Sequence, residues 1–399
     1  LTEQKSLSLL EGVRILAFTQ FLLGPAACQY LADMGADVIK VEPPGRGAWE
    51  RSWAGADLFI NGVSAFFLLG NRNLRSVTLN LKSARGVEAA RKLADGADVI
   101  IENYRPGVMG RLGLGYDEIR RSNPRVIYAS GSGYGSDGPY SHLPGQDLLL
   151  QAISGLGANT GTESGGPTVA AGAIVDQHSA SLLAMGILGA MVHRERTGEG
   201  QRVELIMMNA ALDIQAEPVV YHLNGATLRR PRTPVADTFH SVPYGFYATA
   251  DGHLAISMAP ISALSEVLGH PAALAPFQDP AIAFTRRDEI RDALDPFFRE
   301  RTTAEWLELL RAHDIWCAPV NTLTETFEDV AVKHLSPVLE FDHPRAGRVR
   351  VLKHPVRYSS GEATLRRMPP DAGEHTTEVL TELGYTEEQI ADMRGAQDI

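Results

Sequence analysis

Short apolar runs at residues 13–18 (VRILAF), 37–42 (DVIKVE), 98–102 (DVIIE) and 125–130 (RVIYAS) alternate with helical segments, and this alternation constrains the chain most. Strands separated by helices pair in parallel, because a parallel crossover needs a connection long enough to hold a helix. Gly24-Pro25 opens the first helix, where proline's fixed φ and missing N–H do no harm, and the helix ends near Gly35. A further strand is expected at 76–81 (SVTLNL), then helices over about 84–93 and 116–122. The first half therefore reads as an α/β domain around an open, twisted, parallel sheet.

Residues 131–172 are rich in Gly, Ser and Pro, with one short helix expected at 147–154. A long irregular stretch inside a compact domain generally carries a site. Residues 173–175 run into Asp176, and 177–196 read as a helix of small and apolar residues. Arg194 and Arg196 fall in its last turn and Gly198 stops it. A strand at 201–206 and a helix close the segment. Residues 223–234 shift to Gly, Thr, Arg and Pro and read as a linker. A smaller α/β unit follows, with strands at 254–258 and 318–320 and helices near 261–268, 286–298 and 304–313. Beyond Glu328 the chain turns β- and turn-rich and ends in a helix at 376–383. The expected organisation is a large domain over 1–222, a smaller one over 223–328, and a segment 329–399 returning to the large domain.

The net charge of −11 argues against nucleic acid or an anionic membrane as the main partner. Two cysteines, Cys28 and Cys317, exclude a disulfide framework or cysteine-rich zinc site and fit a reducing compartment. The opening LTEQKSLSLLEG lacks the layout of a secretory signal, and the apolar stretch at 181–192 is too short to span a bilayer, so a cytoplasmic protein is expected. Gly133, Gly135 and Gly138 match the spacing of a dinucleotide fingerprint, but Pro139, Tyr140 and Pro144 follow where that fingerprint needs a helix. This disfavours an NAD-dependent oxidoreductase. The twelve histidines show no paired metal spacing on a helix, so no metal is expected; His240 and His253 read as surface or core-edge residues.

On position alone, Asp176 reads either as a helix N-cap or as a functional carboxylate. The segments GVRILAFTQFLLGPAACQYLADMGADVIKVEPPG, GNRNLRSVTLNLKS, ADVIIENYRPGVMGRLGLGYD and NPRVIYASGSGYGSDGP are followed in order by AAGAIVDQHSASLLAMGILGAMVHRERTGEGQ and GEHTTEVLTELGY. In these the chain resembles the class III CoA-transferases, with the α-methylacyl-CoA racemases as relatives, over nearly its whole length. The resemblance implies a large open-sheet (Rossmann-like) domain plus a smaller α/β domain, in an interlocked homodimer. It implies acyl-CoA and a free carboxylic acid as substrates, no permanently bound cofactor, and Asp176 as nucleophile. Asp176 would pass through an anhydride and an aspartyl-CoA thioester. With a reference pKa of about 3.9, its carboxylate is expected to be ionised at neutral pH. Backbone amides at the helix start are expected to stabilise the charge developing on the thioester oxygen.

By the same resemblance, coenzyme A would contact Leu79, Asn80, Leu81, Lys82, Asn103, Tyr104, Arg105, Arg111, Leu143, Pro144, Gly145 and Gln146. Lys82, Arg105 and Arg111 have the chemistry its phosphates demand; Arg72 and Arg75 are weaker candidates. The racemases carry histidine where this chain has Gln146, in Gly145-Gln146-Asp147. Glutamine cannot exchange a proton near neutral pH, which favours transfer; Asp147 as a base keeps racemisation open. A non-catalytic acyl-CoA-binding protein is a further alternative, which Asp176 argues against. Pro43, Leu22 and Pro144 stand where formyl-CoA transferases carry an arginine, a glutamine and a lysine, and their glycine-rich loop has no counterpart around residues 237–245. These departures point away from oxalate and formate and suit a bulkier or more apolar acyl group.

Overall fold

The computed structural model describes residues 6–233 and 237–399. The first five residues of the N-terminus read above, and Pro234 at the end of the expected linker, lie outside them. Strands β1 (Arg14–Phe18), β2 (Asp37–Glu42), β3 (Leu74–Thr78), β4 (Val99–Glu102), β5 (Ile127–Ser132) and β6 (Gln201–Ile206) form one sheet in the order β3-β2-β1-β4-β5-β6. Every neighbouring pair is parallel. The chain steps outward from β1 to β3, then crosses back to β4 on the far side of β1. Loops leaving β1 and β4 therefore part company at their carboxyl ends, and a crevice opens between them. Ligands of such sheets bind at this switch point.

Among the described residues, packing groups those within 1–150, 173–210 and 337–399 into one unit, and those within 151–172 and 211–336 into another. In the first unit, alternate residues Leu16, Ile39, Val77 and Ile100 face one side of the sheet. They are covered by helices α2 (Ala84–Asp95) and α3 (Tyr116–Ser122) and, through Val379, Leu380, Ile390 and Met393, by the C-terminal helices Thr376–Glu382 and Glu387–Gly395. Helix α1 (Leu23–Asp33), preceding these in the chain, packs on the opposite face against a long helix, Ile174–Thr197. That long helix buries Ala180, Leu183, Ala184, Ile187 and Ala190, a helical stripe of small and branched residues. Gly186 brings it against Val203 so closely that an added methyl group would press on that side chain. Gly198 ends it in the left-handed conformation, with φ 80°.

Strand β3 begins and ends two or three residues before the position expected. Arg75 is buried within it, a residue that sequence patterning assigns to loops; it is tolerated through ion pairs with Asp37, Glu378 and Glu382. Leu79 still donates to Glu42, but the Asn80 amide turns to the Asp398 carbonyl at 2.7 Å, so the C-terminal tail takes over the ladder. The second unit holds a three-stranded antiparallel sheet of Gly245–Ala248, His253–Ser257 and Trp316–Pro319, with His253–Ser257 central. Its core joins Tyr247, Leu254, Ile256, Leu294, Phe298 and Trp306. No helix among the described residues is long and apolar enough to cross a membrane.

Arg72 and Asp33 form a buried fork, with Nε to Oδ1 at 3.0 Å and side chains 4% and 1% exposed. Removing one partner strands a charge away from water. Asp33→Ala should therefore cost about 3–5 kcal/mol in urea unfolding, whereas Asp33→Leu combined with Arg72→Met should recover most of that loss.

Candidate active site

At the carboxyl ends of β1, β4 and β5 lies a cavity of about 500 Å³. Its floor is set by backbone approach. Gly131 lies so near Leu23 that a Cβ would sit 2.8 Å from that side chain, and Gly133 and Gly145 pass too closely for either to carry a side chain. The stretch after Gly138 stays irregular until the helix Asp147–Ile153, so the fingerprint spacing at Gly133 opens no helix. Asn103, after β4, reaches across to the loop after β1: its Nδ2 donates to the Gln20 carbonyl at 2.8 Å and its Oδ1 accepts the Gln20 amide at 2.9 Å. Asn103 thus holds the loop that carries Phe21 and Leu22. Glu102, just before it, is pushed up to about 7 by burial, although it accepts the Tyr104 amide at 2.9 Å.

Asp176 lines this cavity. The sequence allowed it to be the N-cap of its helix, but the cap is Ala173, whose side chain makes no bond, and Asp176 sits in the first turn. The capping carboxylate comes from elsewhere. Asp147 accepts the Val175 amide at 2.7 Å and the Asp176 amide at 3.0 Å on one oxygen, Oδ2. This corrects a second expectation, because two of the first helical amides are engaged by Asp147 rather than turned to a thioester oxygen. A third is corrected as well. Burial, reinforced by the charge of Asp147, raises Asp176 to about 7, so at neutral pH the group is poised between its acid and carboxylate forms. The helix N-terminus favours the carboxylate, but desolvation and the second carboxylate prevail.

Asn103, Tyr104, Arg105, Leu143, Pro144, Gly145 and Gln146 line the same cavity as Asp176. Leu79, Asn80, Leu81, Lys82 and Arg111 lie outside it. Leu79 is 1% exposed in the core of the first unit, and Asn80 is tied to the C-terminal tail through Gln397 and Asp398. Lys82 and Arg111 are exposed cations. Arg72 and Arg75, the weaker candidates, are buried in ion pairs. Sequence reasoning missed the cavity's aromatic side, made by Phe21, Trp49, Trp53 and Phe66. The available signal was two tryptophans four residues apart in WERSW, in a loop following a strand of the parallel sheet.

The chain matches the model of CoA-transferase family III over residues 10–376. It is 36% identical over 394 residues to succinyl-CoA:glutarate CoA-transferase of Mus musculus, covering 96% of this chain and 89% of that one. It is 32% identical over 419 residues to formyl-CoA:oxalate CoA-transferase of Bradyrhizobium sp. (strain ORS 278), covering 98% and 97%. The crystal structure of Rv3272 from M. tuberculosis, in its orthorhombic form, superposes with a TM-score of 0.81 at 32% identity, covering 94% of this chain and 99% of that one.

The raised pKa of Asp176 has a consequence for stability. Folding lifts the group from an ordinary value near 3.8 to about 7, so between those values the native state holds a proton that the unfolded chain has released. That contribution is fully present below the lower value and lost as pH rises through the upper one. Asp176→Asn, uncharged throughout, should therefore melt a few degrees above the natural protein near pH 8, with the gap closing toward pH 4. A gap that stays constant across that range would contradict the assignment.

Proposed function

The chain belongs to CoA-transferase family III, and we propose that it transfers coenzyme A from an acyl-CoA thioester to a free carboxylic acid by covalent catalysis at Asp176. One observation carries this reading: the Asp176 carboxylate lines the cavity at the switch point of the sheet. An Asp176 oxygen attacks the thioester carbonyl carbon, the C–S bond breaks, and CoA leaves as thiolate, giving a mixed anhydride. The thiolate then attacks Cγ of Asp176, releasing the donor carboxylate and forming an aspartyl-CoA thioester. The acceptor carboxylate attacks the same Cγ and expels the thiolate. Finally the thiolate attacks the acceptor's carbonyl carbon and frees Asp176. The thioester bond is exchanged rather than hydrolysed, so no ATP is needed.

The environment of Asp176 supports the role. Perturbed carboxylates in clefts mark reactive groups, and a carboxylate of higher pKa is a stronger nucleophile once ionised. Tyr104, Arg105, Leu143, Pro144, Gly145 and Gln146 would hold the pantetheine and diphosphate. Asn103 would serve by fixing the Gln20 loop, and Leu81, Lys82 and Arg111 would serve the 3′-phosphate. The racemase alternative loses support, since the Gln146 amide cannot act as an acid or base near neutral pH and Asp147 is engaged with two amides. A homodimer is part of the same reading: Met185 and Val192 on the long helix are 62% and 52% exposed, apolar surface of the kind a second copy covers. Free Cys28 and Cys317 agree with a cytoplasmic setting.

Asp176→Asn should lower transfer by roughly three orders of magnitude or more. Hydroxylamine added during turnover should place a hydroxamate on Asp176, detectable by peptide mass spectrometry. Continued exchange without that adduct would refute the covalent role, and α-proton exchange in deuterated water without thioester change would establish racemisation instead. The carboxylate is the attacking form, so the single-turnover acylation rate should rise with pH through about 7. In Asp147→Asn, relieved of the neighbouring charge, that rise should shift to lower pH.

A further inference from the structure

The cavity that Asp176 lines also carries an aromatic wall, which CoA exchange itself does not require. Phe21 rests on Trp49 with ring centroids 4.6 Å apart, Trp49 stacks on Trp53 at 5.3 Å, and Trp53 meets Phe66 edge-on at 4.8 Å. All four rings line the cavity with Asp176. Phe21, Trp49 and Trp53 leave 38%, 36% and 43% of their surface open.

The fold inverts the usual partition to produce this wall. In the run from Trp49 to Trp53 the charged residues turn inward and the tryptophans outward. Glu50 is wholly buried on Lys40, whose Nζ also donates to Asn71 at 2.8 Å. Arg51 forks onto the buried Glu42 with both bonds at 2.6 Å, and the Ala48 amide donates to the same carboxylate at 2.7 Å. Phe21 is held in the left-handed region at φ 61°, a conformation that bulky residues adopt only under constraint. That constraint is visible: its amide donates to Glu50 at 3.3 Å, and Asn103 grips the residue before it. Buried ion pairs and backbone strain thus keep aromatic rings open to a cavity, which is favourable when an apolar ligand covers them.

Charge decides what kind of ligand. Among the described residues, the charged side chains lining the cavity are Asp147, Asp176 and Arg105, and Arg105 is exposed. The tail of a dicarboxylate would meet two carboxylates and an aromatic wall. A planar, uncharged tail would meet ring faces.

Building on the Asp176 reading above, we infer that the acyl group brought to Asp176 belongs to an aryl-substituted monocarboxylic acid, of phenylacetic or cinnamic type, with Phe21, Trp49, Trp53 and Phe66 as its specificity surface. The first test needs no turnover. Asp176→Asn protein is titrated with cinnamoyl-CoA, phenylacetyl-CoA, succinyl-CoA, glutaryl-CoA and free CoA, following tryptophan fluorescence. The aryl thioesters should bind at least about 10-fold more tightly than the others; equal or tighter binding of the dicarboxylyl thioesters overturns the inference. In turnover, kcat/KM should favour aryl acids over dicarboxylic acids by on the order of 100-fold. Trp53→Ala should lower kcat/KM for aryl acids by about 10-fold or more, chiefly through KM, and Trp53→Phe should restore most of it. A Trp53→Ala loss equal for all acids overturns the assignment of the wall. The two readings fail separately. A hydroxylamine adduct on Asp176 from succinyl-CoA but not from aryl thioesters sinks the acyl class alone. Absence of any adduct sinks the covalent role, and the binding titration still decides the acyl class.

Discussion

Two amides of the long helix, Val175 and Asp176, donate to the Asp147 carboxylate, and the site is organised around that contact. It satisfies N–H groups that every helix start leaves unpaired, a duty ordinarily met by the residue just before the helix. Here that residue is Ala173, so the cap is supplied from 28 residues back along the chain from Val175. One long-range interaction therefore ties the Gly145-Gln146-Asp147 turn to the helix, sets Asp176 in the first turn facing the cavity, and places a second negative charge beside it. Burial does most of the work on Asp176, and the neighbouring carboxylate adds to it.

The other supports of the site are buried charges around β2. Lys40 holds Glu50, and Glu42 holds Arg51, Ala48 and Ser76. Burial alone would raise the Glu42 carboxyl, but the hydrogen bonds and charge of Arg51, with Lys40 and Ser76, outweigh it and hold Glu42 down to about 2. Glu42 thus stays ionised, and the loop it anchors keeps one geometry. Ion pairs of this kind add little stability compared with apolar packing of the same volume. What they contribute here is position, because they fix which side of residues 49–53 turns to the cavity.

Much of the fold was legible because apolar periodicity is local. Strands at 37–42 and 201–206 and the helix at 116–122 stand where the pattern places them, and Gly198 ends its helix as expected. Errors arose where distant residues intervene. Arg75 inside β3 is intelligible only once Asp37, Glu378 and Glu382 surround it. The end of that strand depends on Asp398, which no window of sequence around residue 80 contains. In the site, the segments 103–105 and 143–146 were traceable by resemblance, and the fold brings them to the cavity with Asp176. Leu79 and Asn80 were traceable in the same way, yet they face the core and the C-terminal tail.

By itself the sequence determined the alternating elements, the parallel sheet they form, and the family, since hydrophobic pattern and ordered motifs survive in one dimension. Only tertiary structure decided the ionisation of Asp176, the true cap of its helix, and the aromatic wall of the same cavity. Each of these depends on desolvation and on charges brought together from remote parts of the chain. A pKa, a borrowed cap and an outward-facing tryptophan are properties of surroundings, and those exist only after folding.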